Sequence, residues 1–531
     1  MKPYVPHAPV NKWLVATSIT FGTLMGALDS SIINVAVPHL SGALGASIEE
    51  ITWVSTGFII ATVIVMPLTA FLGRLFGQKR VYMTALALFV AGSALCGMAR
   101  SLPMMVLFRV IQGLGAGALQ PTEQAILRQT FPPKEHGMAM AFFGMAVVLG
   151  PAFGPTLGGW IVDNYSWPWI FYINLPIGCL ALFMVSRFVH EPEDIRRANQ
   201  KAAAKQRDNL DWLGIALLAL GLAMMQYVLE EGQRSDWFQS AVISTCAVVA
   251  LFALAAFVIR ELTAPVPAVD LSLFKDKVFL SGTLIGAVMF AMLISITFLL
   301  PVFMQELLGF DATLSGVALM PRSLIMIVAM PVVGKIYNKV SPRLVVAFGI
   351  ILFAVTAWQM SHYTIDTNAF GIIGTLTLQG IAFACLFIPL TTVALATIPR
   401  YKLADASGLY GLFRQVGGSL GLAAFASYIP SFAQVARTGL VAHLNPGRPE
   451  VMARIAGAAA GLRAHGYDAV SAHTAAPRVL AFLIGRESMV MTFEKLFLLS
   501  GILFLAVLPL LWFLKAPTEG EMNAAAAHIE M

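Results

Sequence analysis

The sequence predicts an all-α, polytopic membrane protein, and three observations carry that prediction. Of 531 residues, 58% are hydrophobic and only 12% charged, where an ordinary globular chain has about a quarter charged. The apolar residues gather into fourteen windows, each long enough for the helix of about 20 residues that crosses a bilayer. Lys and Arg collect in alternate loops, the asymmetry that membrane insertion imposes. The net charge of +6 resides largely in those loops, so it implies no nucleic-acid partner.

The first window, 14–37, follows Lys2 and Lys12. It exceeds the roughly 7 to 15 residues of a signal-peptide core, so it reads as an uncleaved span. Asp29 is the only carboxylate deep within it and shares a face with Ser18, Gly22 and Gly26, small residues that let a neighbour or ligand approach. The second window, 51–72, ends at FLGRLFGQKR, which contains Arg74, Gly77, Lys79 and Arg80; the third is 81–99. In the fourth, 103–125, Arg109, Gln112, Ala116, Gln120 and Glu123 fall within an arc of about 80° on a helix. That polar stripe faces protein or water, with Glu123 about 21 Å along the axis from Arg109.

In the fifth window, 136–160, VLGPAFGPTLGGW places Gly150, Gly154 and Gly158 four residues apart, with Pro151, Pro155 and Gly159 beside them. The spacing exposes backbone along one face, and the prolines kink the helix. Such a seam serves close packing against another span, either specialised or ordinary. A sixth window, 168–189, is followed by the charged linker EPEDIRRANQKAAAKQRDNLD, 191–211, the best place to divide the chain. The remaining windows are 212–230, 239–259, 278–300, 313–334 with Arg322, 343–361, 369–397, 405–429 with Arg414, and 490–514. Between the last two, residues 430–489 contain the Ala-rich run VMARIAGAAAGLRA and read as a small external helical hairpin.

Basic residues run from Arg74, Lys79 and Arg80 through Arg128, Lys134, Arg196 and Arg197 to Lys335, Lys339, Arg343, Arg400 and Lys402, all in loops of one side. Opposite them the short loops hold only Arg100 and Arg234. The positive-inside rule makes the rich side cytoplasmic and puts both termini there.

An internal repeat is legible. Gln112-Gly113 recurs as Gln379-Gly380, Gly150 meets Gly417 at the same offset of 267, and PLTAFLGR at Pro67 matches PVVGKIYN at Pro331. Two similar halves of six spans follow, with residues 212–259 inserted between them. The expected units are 1–190, a linker and inserted pair over 191–275, a second half over 276–515, and a tail at 516–531. Parallel repeats enclose a midplane cavity in many secondary transporters, so buried polar groups are sought on the inner faces.

A charge at mid-span costs about 2.5 to 3.5 kcal/mol on insertion scales, so it faces a cavity or a partner. Asp29 and Glu123 are the candidate proton carriers, since Asp405 and Glu494 lie at window ends. Asp29 and Arg109 also suit a fixed pair that holds helices together, and Glu123 a packing role. Gln112, Gln120, Arg322 and Arg414 are candidates for the cavity and its gating, or for structure.

Other chemistry finds no support. Cys96, Cys179, Cys246 and Cys385 are scattered singly in apolar windows, with neither CxxC nor HExxH for a metal. The histidines, among them His39, His136, His190 and His362, fall in expected loops or tails, so no enzyme site converges. GxxxxGK[ST] is absent, which argues against an ATP-driven pump.

The residues resemble the major facilitator superfamily, and within it the fourteen-span drug:proton antiporters of the EmrB/QacA type. LDSSIINVAVP at 28–38 is similar to that group's first-span motif, LFRVIQGLGAG at 107–117 to the fourth, GPAFGPTLGG at 150–159 to the antiporter motif, and SWPWIFYINLPIG at 166–178 to the sixth. FRQVGGSLG at 413–421 fits as well, and the likeness spans essentially the whole chain. Two departures stand out: Pro168 replaces an arginine, and Gly73 replaces the aspartate of the loop motif, leaving that motif's salt bridge without its acid. The resemblance implies proton coupling at Asp29, tuning by Arg109, and antiport favoured by the 150–159 stretch. It further implies export of drugs or amphipathic molecules, a bacterial inner membrane, no cofactor besides the proton motive force, and in Gram-negative relatives a periplasmic adaptor and outer-membrane channel. A dedicated exporter of a native lipid or siderophore precursor, or a transport-dead receptor or scaffold, are the alternatives.

Overall fold

The computed structural model describes residues 11–207, 211–337, 339–444 and 448–514. Lys2, the tail at 516–531 and residues 208–210 of the linker lie outside them. Among the described residues all regular structure is helical, as lipid demands of a chain that must satisfy every backbone group internally.

The first six long helices are α1 (Lys12–Leu44), α2 (Trp53–Phe76), α3 (Gln78–Gly97), α4 (Leu102–Thr130), α5 (His136–Asn164) and α6 (Asn174–Phe188). The linker forms α7 (Glu193–Arg207), and the inserted pair is α8 (Trp212–Glu231) and α9 (Ala241–Thr263). Then come α10 (Lys277–Glu306), α11 (Ala312–Ile336), α12 (Pro342–Met360), α13 (Ala369–Ala394), α14 (Leu403–Ala442), α15 (Pro449–Ala464) and α16 (Ala469–Leu505). Fourteen helical segments are long and apolar enough to cross a membrane, the number read from hydropathy; α7 and α15 are not among them. Several starts are fixed by side-chain caps: Asp211 accepts from the Gly214 amide, Asp276 from Val278, Asn368 from Gly371, each satisfying an amide that the helix itself leaves free.

Helix pairing follows the repeat. α5 lies along α1 and α14 along α10, while α4 packs on α2 and α3 as α13 packs on α11 and α12. The repeated glycines explain the match. A side chain at Gly113 would meet the Phe58 carbonyl of α2, and one at Gly380 the Arg322 carbonyl of α11. Gly417 and Gly421 press on Ala287 and Ala291 of α10 as the glycines of α5 press on α1. Without a hydrophobic drive inside lipid, such close backbone approach is the main source of helix association.

The two six-helix sets touch at the end that carries the basic loops. Gly137 of α5 and Gly334 of α11 meet backbone to backbone, and Gly408 of α14 seats on the Met66 carbonyl of α2. Arg128 donates to the Thr392 carbonyl at 2.6 Å, and Arg400 to that of Gln129 at 2.8 Å. Deeper in, Phe143 stacks on Phe387 with centroids 6.2 Å apart. The inserted pair rides on the outside, where α9 buries only Ile243, Ala250, Ala253, Phe257 and Glu261. Gln226 of α8 ties it to α14 through Ser419 at 2.6 Å.

Three expectations change. The last two windows are parts of much longer helices of 40 and 37 residues, about 60 and 55 Å at 1.5 Å per residue, twice the apolar thickness of a bilayer. They continue unbroken through much of 430–489, with α15 packed on α16, because Ala-rich sequence propagates a helix where hydropathy has already fallen. Glu494 therefore lies inside α16, not at a helix end. His39 and His136 belong to α1 and α5 and not to loops.

Candidate functional site

At the centre of the first set, Asp29 of α1 and Arg109 of α4 form an ion pair of 2.6 Å with side chains 2% and 1% exposed. The stripe on α4 turns inward as its spacing requires, and none of Arg109, Gln112, Ala116, Gln120 or Glu123 is exposed. Around the carboxylate, Arg109 Nη1 donates to Oδ2, and Gln112 Nε2 and Asn174 Nδ2 donate to Oδ1 at 2.8 and 3.0 Å. The guanidinium also donates to Gln112 Oε1 at 2.7 Å and the Val54 carbonyl at 3.1 Å, and lies 4.1 Å from the centre of the Phe58 ring. The charges are thus balanced and hydrogen-bonded, which is what keeps a buried pair tolerable.

Asn174 escaped the sequence reading. It bridges Asp29 and the Ser93 hydroxyl, which donates to the Phe171 carbonyl. A signal existed: an asparagine inside the apolar window 168–189 requires a partner at depth.

Glu123 does not join this cluster. It lies further along α4, where the hydroxyls of Thr20 (2.8 Å) and Thr23 on α1 donate to it. Gln120 leaves the cluster as well and accepts from Arg414 Nη2 of α14 at 3.3 Å, across the contact between the sets. Arg322 stays within the second set, where Nη2 donates to Thr297 at 2.8 Å and Nη1 is buried without a hydrogen-bond partner.

The glycine seam lies directly behind Asp29. Cβ atoms at Gly150 and Gly154 would collide with Ala27 and Ser31 of α1, and one at Gly158 would press tightly on Ile32, whereas at Gly159 the nearest atom is Val35 Cγ1 at 3.9 Å. Pro151 is exposed and Pro155 half-buried, off the seam, in a helix that runs unbroken. Any slide of α5 is therefore transmitted to the helix that carries Asp29.

At the basic end the missing acid of the loop motif is supplied from elsewhere. Arg74 Nη1 lies 2.7 Å from both oxygens of Asp405, the first acid of α14, and Nη2 donates to the Ala268 carbonyl. Sequence reading placed Asp405 at a window end but could not see this pairing. Nearby Lys402 donates to Asp270 at 2.6 Å. Burial would raise the Asp270 carboxyl, but the Lys402 and Ser272 contacts outweigh it and hold it below its ordinary range. Gly77 has φ of +88°, a conformation that favours glycine. Lys79 donates to the Ser186 carbonyl at 2.7 Å, and Arg80 is exposed.

The Major Facilitator Superfamily model matches residues 19–422. The multidrug export protein EmrB of Haemophilus influenzae is 35% identical over 509 residues, 95% of this chain and 96% of that one. The fatty acid resistance protein FarB of Neisseria gonorrhoeae is 32% identical over 503 residues, with 95% and 96% covered. The solved structure of the proton:xylose symporter XylE bound to 6-bromo-6-deoxy-D-glucose has a TM-score of 0.60 at 13% identity, covering 97% of this chain and 98% of that one, a likeness of fold. This chain belongs to the Major Facilitator Superfamily, among the fourteen-span proteins of the EmrB type.

Proposed function

We propose that this multi-pass membrane protein is a proton-coupled antiporter, not an enzyme, that exports drugs or other amphipathic small molecules by alternating access. The observation that carries the reading is the Asp29–Arg109 pair: a buried acid bonded to a cation on a different helix, so that any change of charge at the acid would be tied to a rearrangement of α1 against α4. The names of the EmrB and FarB relatives support export of toxic or amphipathic compounds. Glu123 serves as a second proton carrier, and Gln112, Gln120, Arg322 and Arg414 line or gate the path of the cargo.

In this reading residues 1–190 and 276–515 rock against each other, and 191–275 travels alongside. The basic loops and both termini lie in the cytoplasm of a bacterium, the membrane is the inner one, and the 430–489 helices project outward, where a periplasmic adaptor would meet them. No cofactor is needed. A membrane potential supplies about 2.3 kcal/mol per charge per 100 mV, and a pH unit adds about 1.4 kcal/mol.

Proteoliposomes with an imposed pH gradient test this. Cargo-induced proton release is expected from the wild type and not from Asp29→Asn. Unchanged release in that variant removes Asp29 from the mechanism, and no release from the wild type across a panel of amphipathic compounds removes antiport.

A further inference from the structure

Arg414 lies about 16 Å along the axis of α14 from its first residue, Leu403, and is 3% exposed. Three aromatic faces surround its guanidinium carbon: Phe290 at 4.6 Å, Phe387 at 5.2 Å and Tyr410 at 5.7 Å from the ring centres. Nη2 donates to Gln120 of the other six-helix set, and the Tyr410 hydroxyl also interacts with the guanidinium. Nε and Nη1 are buried without a hydrogen-bond partner. None of the ion pairs found among the described residues includes Arg414.

Arginine keeps its charge in proteins, so this cation is not relieved by losing a proton. Aromatic faces attract it but fill none of its N–H donors. A buried cation with unfilled donors and no counter-charge is costly unless something brings the charge to it. Arg109 shows the contrast within the same molecule: it too lies against Phe58, yet Asp29 neutralises it.

We infer that Arg414 and Gln120, with Phe290, Phe387 and Tyr410, form a recognition site for an amphipath with an oxyanion head, such as an aromatic carboxylate. The head takes the free donors of Arg414, and the apolar body lies along the rings. Gln120 then reports occupancy to α4, the helix that also carries Arg109 and Glu123. A cationic head is refused by the same charge. The inference rests on the exporter reading for its place between two moving sets, but binding alone tests it.

Fluorescence anisotropy of the full chain in phosphatidylcholine nanodiscs, corrected with protein-free discs, compares 1-pyrenebutyrate with 1-pyrenebutanol and pyrenebutyl-trimethylammonium. The wild type is expected to bind the carboxylate about 10- to 100-fold more tightly than the alcohol, as a charge-assisted hydrogen bond allows, and the ammonium most weakly. Arg414→Gln should bring carboxylate and alcohol to equal affinity, and Arg414→Lys should retain the preference. Equal binding of carboxylate and alcohol by the wild type overturns the proposal, as does a preference that survives in Arg414→Gln. If that variant does not fold, Gln120→Leu and the three-probe comparison on the wild type decide. A wild type that prefers the carboxylate yet shows no cargo-induced proton release in proteoliposomes counts against the exporter reading alone, whereas proton release without the preference counts against this site alone.

Discussion

The Asp29 carboxylate of α1 accepts a hydrogen bond of 3.0 Å from the Asn174 amide of α6, on the oxygen that also accepts from Gln112. Asn174 thereby fastens the sixth helix to the acid that Arg109 balances. A hydrogen bond to a charged group contributes about 1.5 to 3 kcal/mol, so Asn174→Leu is expected to lower transport by roughly tenfold or more and to lower the melting temperature. Asn174→Asp, which sets a second acid beside the first, should abolish transport. Proteoliposome flux and a thermal-shift assay measure both, and wild-type flux in Asn174→Leu would show that the amide does not matter to coupling.

The seam between α5 and α1 gives a paired prediction. A Cβ at Gly154 would stand 2.5 Å from Ser31 Cβ, while one at Gly159 has 3.9 Å to its nearest neighbour. Gly154→Val should therefore push α1 and α5 apart, at the 1 to 3 kcal/mol or so typical of overpacking, and abolish transport. Gly159→Ala should transport like the wild type. The second set offers an internal replicate, because Gly421 is pressed by Ala291 at 2.7 Å, so Gly421→Val should behave like Gly154→Val.

Most of this fold is legible in the sequence because lipid leaves few options: a run of apolar residues must be a helix, and an inward polar stripe must follow its period. That logic gave the fourteen spans, the burial of Asp29 and Arg109, and the glycine face. Apart from the Asp29–Arg109 pair, which two lone charges at depth suggested, partners from distant segments were not legible. Asp405 pairs with Arg74 across 331 positions of chain, and Thr20 with Glu123 across 103, because pairing between helices depends on rotation and tilt that hydropathy does not encode. The length of α14 and α16 was missed for the opposite reason, since hydropathy marks where lipid ends and not where a helix does.

The Arg74–Asp405 pair is a latch between the two sets, with side chains 18% and 6% exposed. Removing one partner of a pair that is largely buried costs more than the pair is worth, since the other charge is left unbalanced. Asp405→Ala should loosen the basic end, and the swap Arg74→Asp with Asp405→Arg should restore it in part. Ser407, fully buried beside the latch, provides the readout. A cysteine introduced there, in a chain freed of its four native cysteines, should resist a membrane-impermeant maleimide and become labelled in Asp405→Ala. Equal labelling in both would mean the latch does not hold that end shut.

Glu123 differs from Asp29 in its company. Hydroxyls of Thr20 and Thr23 face its two oxygens, and none of the ion pairs among the described residues includes it. A threonine hydroxyl both donates and accepts, so this pair of partners can serve a carboxylate, a carboxylic acid or an amide. Arg109, bound to Asp29, has no such freedom. Glu123→Gln should consequently fold and hold its melting temperature, with an amide standing in for the protonated acid. If Glu123 carries a proton, the variant releases fewer protons per cargo while Asp29-dependent exchange continues, and its cargo gradient at a fixed proton gradient falls. Proton flux and cargo flux measured together in the same proteoliposomes give the ratio. A ratio identical to the wild type would assign Glu123 to packing between α1 and α4 and leave Asp29 as the coupling acid.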